Sequence, residues 1–234
     1  MIAGLQKMTL LDFPGKVACT LFLQGCNFRC PFCHNSGLLE HGDEPFMAED
    51  AFLQFLEKRK GLLEGVCITG GEPTLQSGLP DLIRGIRKLG FAVKLDTNGS
   101  RPDVLRALCD EGLLDYVAMD VKNAPDRYGQ TVGVDHLPLQ KTEESLRLLL
   151  QGNVPFELRT TVVKPLHDTA AVARMGRWLQ ELNGGKPVPV LYLQPFEDRD
   201  TVLYSGMQAP GEDELALMAD SLASYVLHVY IRSR

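Results

Sequence analysis

Three cysteines lie within one short stretch of the chain, and together they could bind a metal ion or an iron–sulfur cluster. Cys26, Cys30 and Cys33 form a C-x3-C-x2-C pattern in residues 24–35, immediately after an apolar run that predicts a β-strand. Thiolates grouped in this way on a loop are typical ligands of zinc and of iron–sulfur clusters. A fully ligated cluster takes four cysteines, so three would leave one iron with an open coordination position. An open position indicates chemistry rather than a purely structural role.

A disulfide, a covalent haem or a zinc ion could also account for the cysteine motif. A disulfide with a spare thiol needs an oxidising compartment, whereas the first residues, MIAGLQKMTLLDFPGK, lack the long apolar segment of a secretory signal. We therefore expect a cytoplasmic protein, in which disulfides do not persist. Covalent haem would fit the C-x-x-C-H spelling of residues 30–34 but would leave Cys26 without a role. Zinc, with His34 or a distant cysteine as fourth ligand, stays open on ligand count.

The composition predicts an ordinary globular protein, with one domain over residues 1–234. Hydrophobic residues make up 44% of the chain and charged residues 23%. No apolar run of about 18 residues could span a membrane, and the net charge of −6 argues against nucleic acid as the main partner. Cys19 and Cys67 lie in strand-like runs and Cys109 in a helical pattern, so all three are expected to be buried small side chains.

Strand and helix patterns alternate along the chain. Strands are predicted at residues 17–23, 66–69, 91–95, 115–119, 157–163 and 188–193. Helices are predicted at residues 51–60, 79–89, 102–111, 143–150 and 212–225, and after Asp168 as an N-cap. Residues 123–140 are expected to be irregular, and the tail at 227–233 to be a short strand or a docked terminus.

This alternation predicts an α/β fold of parallel strands with right-handed crossovers. Six such units are fewer than the eight of a complete TIM barrel, so we expect an open (βα)6 partial TIM barrel. Its open side would admit a large substrate, and its chemistry would take place at the carboxyl ends of the strands.

Polar motifs follow the predicted strands at those ends. Gly70, Gly71 and Glu72 follow the second strand, and Asp96 and Asn98 follow the third. Two glycines allow a close approach of backbone to a ligand, although a tight turn alone would also account for them. Asp96 and Asn98 offer polar oxygens, although a helix cap and an Asn-Gly turn are the structural alternatives.

The later strands carry charged residues. Asp120 and Lys122 follow the fourth strand and project to the same side of an extended chain, and Arg159 lies in the fifth. Lys122 could neutralise a ligand carboxylate, whereas an exposed ion pair would contribute little. Arg159 supplies a permanent cation, unless it is a solvated strand residue. Phe196, after the sixth strand, could contact an aromatic ring of a ligand.

These motifs together resemble those of the radical S-adenosylmethionine (SAM) enzymes. The pattern C-x3-C-x2-C with an aromatic residue, Phe32, before the last cysteine is their cluster motif, and the GGEP at 70–73 matches their second motif. The resemblance implies a [4Fe–4S] cluster on Cys26, Cys30 and Cys33, with the amine and carboxylate of SAM on the open iron. It also implies SAM contacts from a set of strand-end residues. These are Gly70, Gly71, Glu72, Asp96, Asn98, Asp120, Lys122 and Arg159.

Within that family, LDTNG followed by MDVK is similar to the glycyl-radical-enzyme activases. The stretch GLQKMTLLDFPGKVACTLFLQGCNFRCPFCHN is most similar to the activases of anaerobic ribonucleoside-triphosphate reductase, and the match extends over residues 4–196. The resemblance implies reductive cleavage of SAM to a 5′-deoxyadenosyl radical, which removes a hydrogen from a glycine of the partner. It implies a glycyl-radical enzyme as partner and a flavodoxin or ferredoxin-like electron donor.

Two features depart from related activases. Pyruvate formate-lyase activases carry a histidine just after the strand-six proline, where this chain has Phe196 and Glu197, so a formate-lyase partner is disfavoured. No cysteine-rich insert stands between Asn35 and Ala51, so a second cluster is not expected. The alternatives are an activase of the pyruvate formate-lyase type, a small-molecule radical SAM enzyme such as a deazapurine synthase, and a non-catalytic zinc or iron–sulfur protein.

The motif predicts which cysteines hold the cluster. Replacing Cys26, Cys30 or Cys33 by Ala should abolish the brown absorbance after anaerobic reconstitution with iron and sulfide, because two thiolates cannot hold a cubane. Cys19→Ala, Cys67→Ala and Cys109→Ala are the matched controls and should retain it. Retention of the absorbance in Cys30→Ala together with its loss in Cys109→Ala would contradict the ligand assignment.

Overall fold

The computed structural model of the chain describes residues 1–40 and 44–232. The strands are β1 (Ile2–Thr9), β2 (Ala18–Leu23), β3 (Gly65–Gly70), β4 (Ala92–Thr97), β5 (Tyr116–Asp120), β6 (Phe156–Val162), β7 (Val188–Pro195) and β8 (Val226–Ile231). The α-helices are α1 (Glu49–Glu57), α2 (Leu79–Lys88), α3 (Pro102–Asp110), α4 (Pro125–Val132), α5 (Leu139–Gln151), α6 (Thr169–Leu182) and α7 (Glu212–Asp220). Among these helices, none is both long and apolar enough to pass through a lipid bilayer.

The strands form one mostly parallel, open sheet in the order β1 to β8. β2, β3 and β4 run parallel to one another, as do β6, β7 and β8, whereas β1 is antiparallel to β2. The predicted α/β class with an open parallel sheet is therefore confirmed. Two strands flank the six expected ones: the tail forms β8, and β1 was not predicted. Residue 233, the last of the predicted tail, lies outside the described residues.

β1 is not predicted from the sequence because it lacks the alternation of buried and exposed side chains that is typical of a half-buried strand. Three consecutive residues, Gln6 to Met8, are exposed, and the pairing with β2 shifts register twice, between Ile2 and Gly4 and between Gln6 and Thr9. A shift of register breaks the two-residue period on which strand prediction depends.

The segment 123–140, expected to be irregular, contains helix α4 and the start of α5, so that prediction was wrong. Pro125 occupies the first turn of α4, and Gly133 ends it in the left-handed conformation with φ of 64°. Proline at a helix start and glycine just past its end are favourable boundary residues. The same two residue types that indicate a loop therefore mark the two ends of a short helix here.

The caps of the later helices are partly as predicted. Asp168 caps α6, because its carboxylate accepts a hydrogen bond from the backbone N–H of Ala171. The last helix, α7, ends at Asp220 rather than at residue 225.

The chain divides into two compact units. The first consists of Met1–Asn27, Gly37–Ala118 and Val154–Phe156, and the second of Phe28–Ser36, Met119–Asn153 and Glu157–Arg234. In the first unit, the apolar faces of β3 and β4 are fully buried, as are Leu82, Ile83 and Ile86 of α2. Buried apolar residues on these strands and on α2 form the core of the first unit.

The core of the second unit is built from α6 against its neighbours. Met175 and Leu179 of α6 are fully buried, and the indole N–H of Trp178 donates to Glu143 of α5 at 3.1 Å. Tyr128 of α4 packs edge-on against the same indole, with ring centroids 6.0 Å apart.

The two glycines after β3 are required by the neighbouring backbone. A Cβ on Gly71 would lie 2.1 Å from the carbonyl oxygen of Gly25, and one on Gly70 would lie 2.2 Å from that of Leu23. Gly70 also has φ of 128°, a conformation that favours glycine. The close approach in this structure is to the backbone of β2 and the start of the cysteine loop, and the approach to a ligand stays a prediction.

This packing predicts the effect of a single methyl group. Gly71→Ala should lower the free energy of unfolding by about 3 kcal/mol or more, because the clash is with backbone that no rotamer can relieve. Gly37→Ala is the matched control: its Cβ would meet no atom within 4 Å, and the change should stay within about 0.5 kcal/mol. Denaturant unfolding of both variants measures the difference, and equal midpoints would contradict it.

Candidate functional site

The predicted cluster ligands are divided between the two units. β2 ends at Leu23, and Cys26 follows in the first unit, whereas Cys30 and Cys33 belong to the second. All six cysteines are free thiols. Within either unit taken by itself, the described residues contain no group of three His, Cys, Asp or Glu side chains arranged for a metal ion.

In the first unit, the backbone and one amide hold Cys26. The N–H groups of Gly25 and Cys26 donate to the carbonyls of Leu38 and Leu39, at 2.7 and 3.3 Å. The side-chain amide of Asn98 donates to Asn27 at 3.0 Å and lies 4.0 Å from the Cys26 sulfur. An amide donor beside sulfur favours the thiolate form that a cluster ligand must take.

Glu72 connects the GGEP motif to the end of β4. Its carboxylate is 1% exposed and accepts hydrogen bonds from the Thr97 hydroxyl at 2.7 Å and the Asn98 N–H at 2.6 Å. The N–H and hydroxyl of Thr74 donate to the same carboxylate, at 3.1 and 2.5 Å. Burial raises the pKa of Glu72, while the bonds from Thr74, Asn98 and Thr97 oppose that rise. Through these hydrogen bonds Glu72 holds the backbone at the carboxyl end of β4, where Asn98 follows the strand.

Asp96 has a partner that the sequence reasoning missed. Lys94, two residues earlier on β4, forms an ion pair with the Asp96 carboxylate, and the lysine side chain is only 2% exposed. Both residues lie on the same face of β4. The i, i+2 spacing of a lysine and an aspartate in a strand was the sequence signal that could have revealed the pair.

In the second unit, the predicted residues Asp120, Lys122 and Arg159 meet. The Lys122 ammonium donates to Asp120 Oδ2 at 2.9 Å, and the Arg159 guanidinium Nε donates to Oδ1 at 3.0 Å. The lysine and arginine side chains are 15% and 14% exposed. The arrangement is therefore a partly buried charge cluster, and the structural alternatives of an exposed pair and a solvated strand residue do not apply.

The charges in this cluster set one another's ionisation. Burial works against the charged form of Asp120, but Lys122 and Arg159 lower the pKa of its carboxyl to about 2. Burial likewise disfavours the Lys122 ammonium, but Asp120 and the charge of a Cys30 thiolate raise the pKa of that lysine. The cluster carries a net positive charge next to Cys30, which favours a thiolate at that position.

The second half of the cysteine loop is held at three places within its unit. The N–H of Arg29 donates to Val132 at the end of α4 at 2.8 Å, and that of Tyr204 donates to Pro31 at 3.1 Å. His34 stacks on Phe196, with centroids 5.5 Å apart and planes 9° apart, and its Nε2 is 2.7 Å from the carbonyl oxygen of Glu197. Phe196 is 3% exposed, so its ring supports the loop.

His167 is a further residue that sequence reasoning did not identify. Its Nε2 is 2.8 Å from the carbonyl oxygen of Lys122, and its Nδ1 is 3.2 Å from the backbone nitrogen of Val163. A neutral imidazole with its proton on Nε2 satisfies both contacts. The ring also meets Phe32 edge-on, with centroids 6.4 Å apart. His167 therefore connects the backbone at Lys122 to the aromatic residue between Cys30 and Cys33.

The donor set fits an iron–sulfur cluster. Three free thiols with an amide donor at Cys26 and a positive charge at Cys30 are the chemistry that thiolate ligands need. Cys19 and Cys67 are fully buried, in agreement with a packing role. Cys109 is partly exposed, which differs from the expectation.

Comparison with known proteins agrees with this chemistry. The radical SAM superfamily profile matches residues 20–173. A Methanocaldococcus jannaschii protein assigned as a glycyl-radical enzyme activating enzyme is 30% identical over 242 aligned positions, covering 100% of this chain and 96% of that protein. The pyruvate formate-lyase 1-activating enzyme of Escherichia coli is 31% identical over 200 positions, covering 81% of this chain and 79% of that protein.

A solved structure shares the fold. The crystal structure of a domain of a pyruvate-formate lyase-activating enzyme from Bacteroides vulgatus superposes with a TM-score of 0.58 at 20% identity. The superposition covers 72% of this chain and 99% of that domain.

The buried histidine predicts a pH dependence of stability. Burial lowers the pKa of His167, so the folded state resists protonation that the unfolded chain accepts near pH 6.5. Stability should therefore fall as pH decreases from 7.5 to 5.5, by up to about 1.4 kcal/mol per pH unit below the unfolded pKa.

Urea unfolding of the reduced, cluster-free chain at the two pH values measures this slope. The variant His167→Gln should lose less stability than the wild type between pH 7.5 and 5.5. The reason is that the Gln amide can donate a hydrogen bond to the carbonyl of Lys122 but does not titrate. His136→Gln, at an exposed position, should retain the wild-type slope. An unchanged slope in His167→Gln would contradict the assignment.

Proposed function

Because the chain belongs to the radical SAM superfamily, and within it to the activating enzymes of glycyl-radical enzymes, we propose that it generates the glycyl radical of an anaerobic ribonucleoside-triphosphate reductase. Enzymes of this family use a [4Fe–4S] cluster and SAM. The observation that carries the site assignment is the Asp120–Lys122–Arg159 charge cluster next to Cys30. The reductase as partner is supported by the sequence of residues 4–35 and by Phe196 in place of the histidine of formate-lyase activases.

Cys26, Cys30 and Cys33 would hold the cluster, which when bound would supply the electron for the cleavage of SAM. The chain's own residues bind and orient SAM. Lys122 and Arg159 offer cations to the SAM carboxylate, and Asp120 keeps those cations in place. Asp96 and the backbone after Gly70 and Gly71 offer acceptors to the SAM ammonium or ribose. Glu72 holds Asn98 and the strand end in register rather than presenting a free carboxylate.

The partner completes the reaction, because the radical needs a positioned hydrogen. We propose that residues 123–140, or the segment after Phe196, contact it. Both segments touch the cysteine loop from within the second unit, through Val132 and through Glu197 and Tyr204. A flavodoxin or ferredoxin-like donor, a single domain over residues 1–234 and a cytoplasmic location stay predictions. The last rests on the reducing conditions that thiolate ligands need.

The second candidate is activation of pyruvate formate-lyase. It is favoured by the 31% identity to the Escherichia coli activating enzyme over 81% of this chain. It is disfavoured by Phe196, whose buried ring stacks on His34 where that class has a histidine.

Activation assays with both proteins test the proposal. Reconstituted enzyme, SAM and a chemical one-electron reductant should produce a glycine-centred doublet in electron paramagnetic resonance with the reductase, but not with pyruvate formate-lyase. A reductase with Gly→Ala at the radical position should give no doublet. A doublet with formate-lyase alone would establish the second candidate, and full turnover of a free purine or pterin without added protein would establish a small-molecule enzyme.

One pair of variants tests whether the Asp120–Lys122–Arg159 charge cluster binds SAM. Lys122→Met should retain the cluster but bind SAM about ten- to a hundredfold more weakly, because a charge-assisted hydrogen bond is lost. Lys164→Met is the control, since Lys164 forms a similar 2.9 Å pair with Glu214. Unchanged SAM affinity in Lys122→Met would show that Lys122 has only a structural role.

A further inference from the structure

A buried lysine lies in the first unit at a position that no motif identified. Lys94 is in the middle of β4, and its side chain is 2% exposed. Its ammonium pairs with Asp96 and lies 3.7 Å from the sulfur of Cys67, its direct neighbour on β3. Lysine is almost never buried to this extent unless it is paired.

The residues around Lys94 form a polar row across three strands. Thr20 of β2 faces Cys67 of β3, and Cys67 faces Lys94 of β4, in continuous register. Directly opposed residues of a sheet point to the same side, so all three lie on one face. The opposite face carries Val93 and Leu95, both fully buried. Lys94 is therefore placed on the polar face of the sheet and not in the apolar core.

Asp96 is nearer than Lys94 to the carboxyl end of β4 and is more open. Its side chain is 13% exposed, against 2% for Lys94. Removing an ammonium from water is unfavourable unless a carboxylate accompanies it, and the same holds for the carboxylate. The ion pair with Lys94 thus orients the Asp96 carboxylate, and Asp96 is the more exposed member of the pair towards a ligand.

We propose that Lys94 is a positioning residue for SAM, acting through Asp96. This inference rests on the proposed role of Asp96 as a SAM contact, but it does not depend on which protein receives the radical. Without the Lys94 ammonium, the Asp96 carboxylate would lose an ion-pair partner that orients it. SAM would then meet an acceptor that is misoriented.

Calorimetric titration of SAM into the reconstituted enzyme, with the cluster kept in its oxidised [4Fe–4S]2+ state so that SAM is not cleaved, tests the inference. The cluster absorbance confirms that each variant is loaded. Lys94→Met and Asp96→Asn should each weaken SAM binding about ten- to a hundredfold. Each should also lower the melting temperature, since each removes one half of a buried ion pair. Lys60→Met, in the exposed pair with Glu57, is the control and should change neither quantity.

The double variant Lys94→Met/Asp96→Asn separates positioning from structure. It should bind SAM as weakly as Asp96→Asn alone and no more weakly, because Lys94 acts on SAM only through Asp96. If Lys94→Met alone does not fold, Lys94→Arg, which retains a cation beside Asp96, takes its place. It should bind SAM more tightly than Asp96→Asn, and equally weak binding in the two would overturn the inference.

Wild-type SAM affinity in either Lys94→Met or the double variant would overturn the inference and leave the pair a structural role only. Normal SAM affinity in Asp96→Asn would overturn it as well. The proposed function fails by a different result, namely wild-type enzyme that binds SAM but forms no glycyl radical on the reductase.

Discussion

Charges that leave water must find partners, and this requirement shapes the carboxyl ends of the strands in both units. In the first unit, Lys94 pairs with Asp96, and Glu72 accepts hydrogen bonds from Thr74, Thr97 and Asn98. In the second unit, Asp120 holds Lys122 and Arg159 together. An unpaired charge at any of these positions would cost several kcal/mol. The ion pairs of Lys94 with Asp96 and of Asp120 with Lys122 and Arg159 therefore lie in poorly hydrated places, where the interaction of a charge with a charged ligand is stronger than in water.

The same groups have a second effect on the cysteine loop. Asn98, held through its backbone by Glu72, places an amide beside Cys26, and Lys122 places a positive charge near Cys30. Both favour thiolates, so the residues that position SAM in our proposal also favour the ionisation that cluster assembly needs. Deeper contacts support this arrangement, since His167 holds the carbonyl of Lys122 and meets the ring of Phe32.

Glycines and short helices control how closely these parts approach. Gly71 admits the backbone of Gly25, which starts the cysteine loop, and Gly133 ends α4 where a Cβ would lie 2.4 Å from the carbonyl oxygen of Arg29. In both cases the absence of a side chain lets a second segment of backbone pack against the loop. The loop is thus held by hydrogen bonds and packing from its own unit, at Leu38 and Leu39 in the first and at Val132, Glu197 and Tyr204 in the second.

The sequence alone determined the features that depend on residues close together in the chain. The cysteine spacing, the polar motifs after the strands, the α/β alternation and the Asp168 cap are local patterns, because periodicity and spacing act over a few residues. Only the tertiary structure decided which side chains meet, since Arg159 reaches Asp120 across 39 positions and Lys94 reaches Cys67 across 27. Those contacts follow from the register between neighbouring strands, which no single strand encodes. For the same reason β1 was missed: its shifted pairing with β2 hides the alternation by which a strand is recognised.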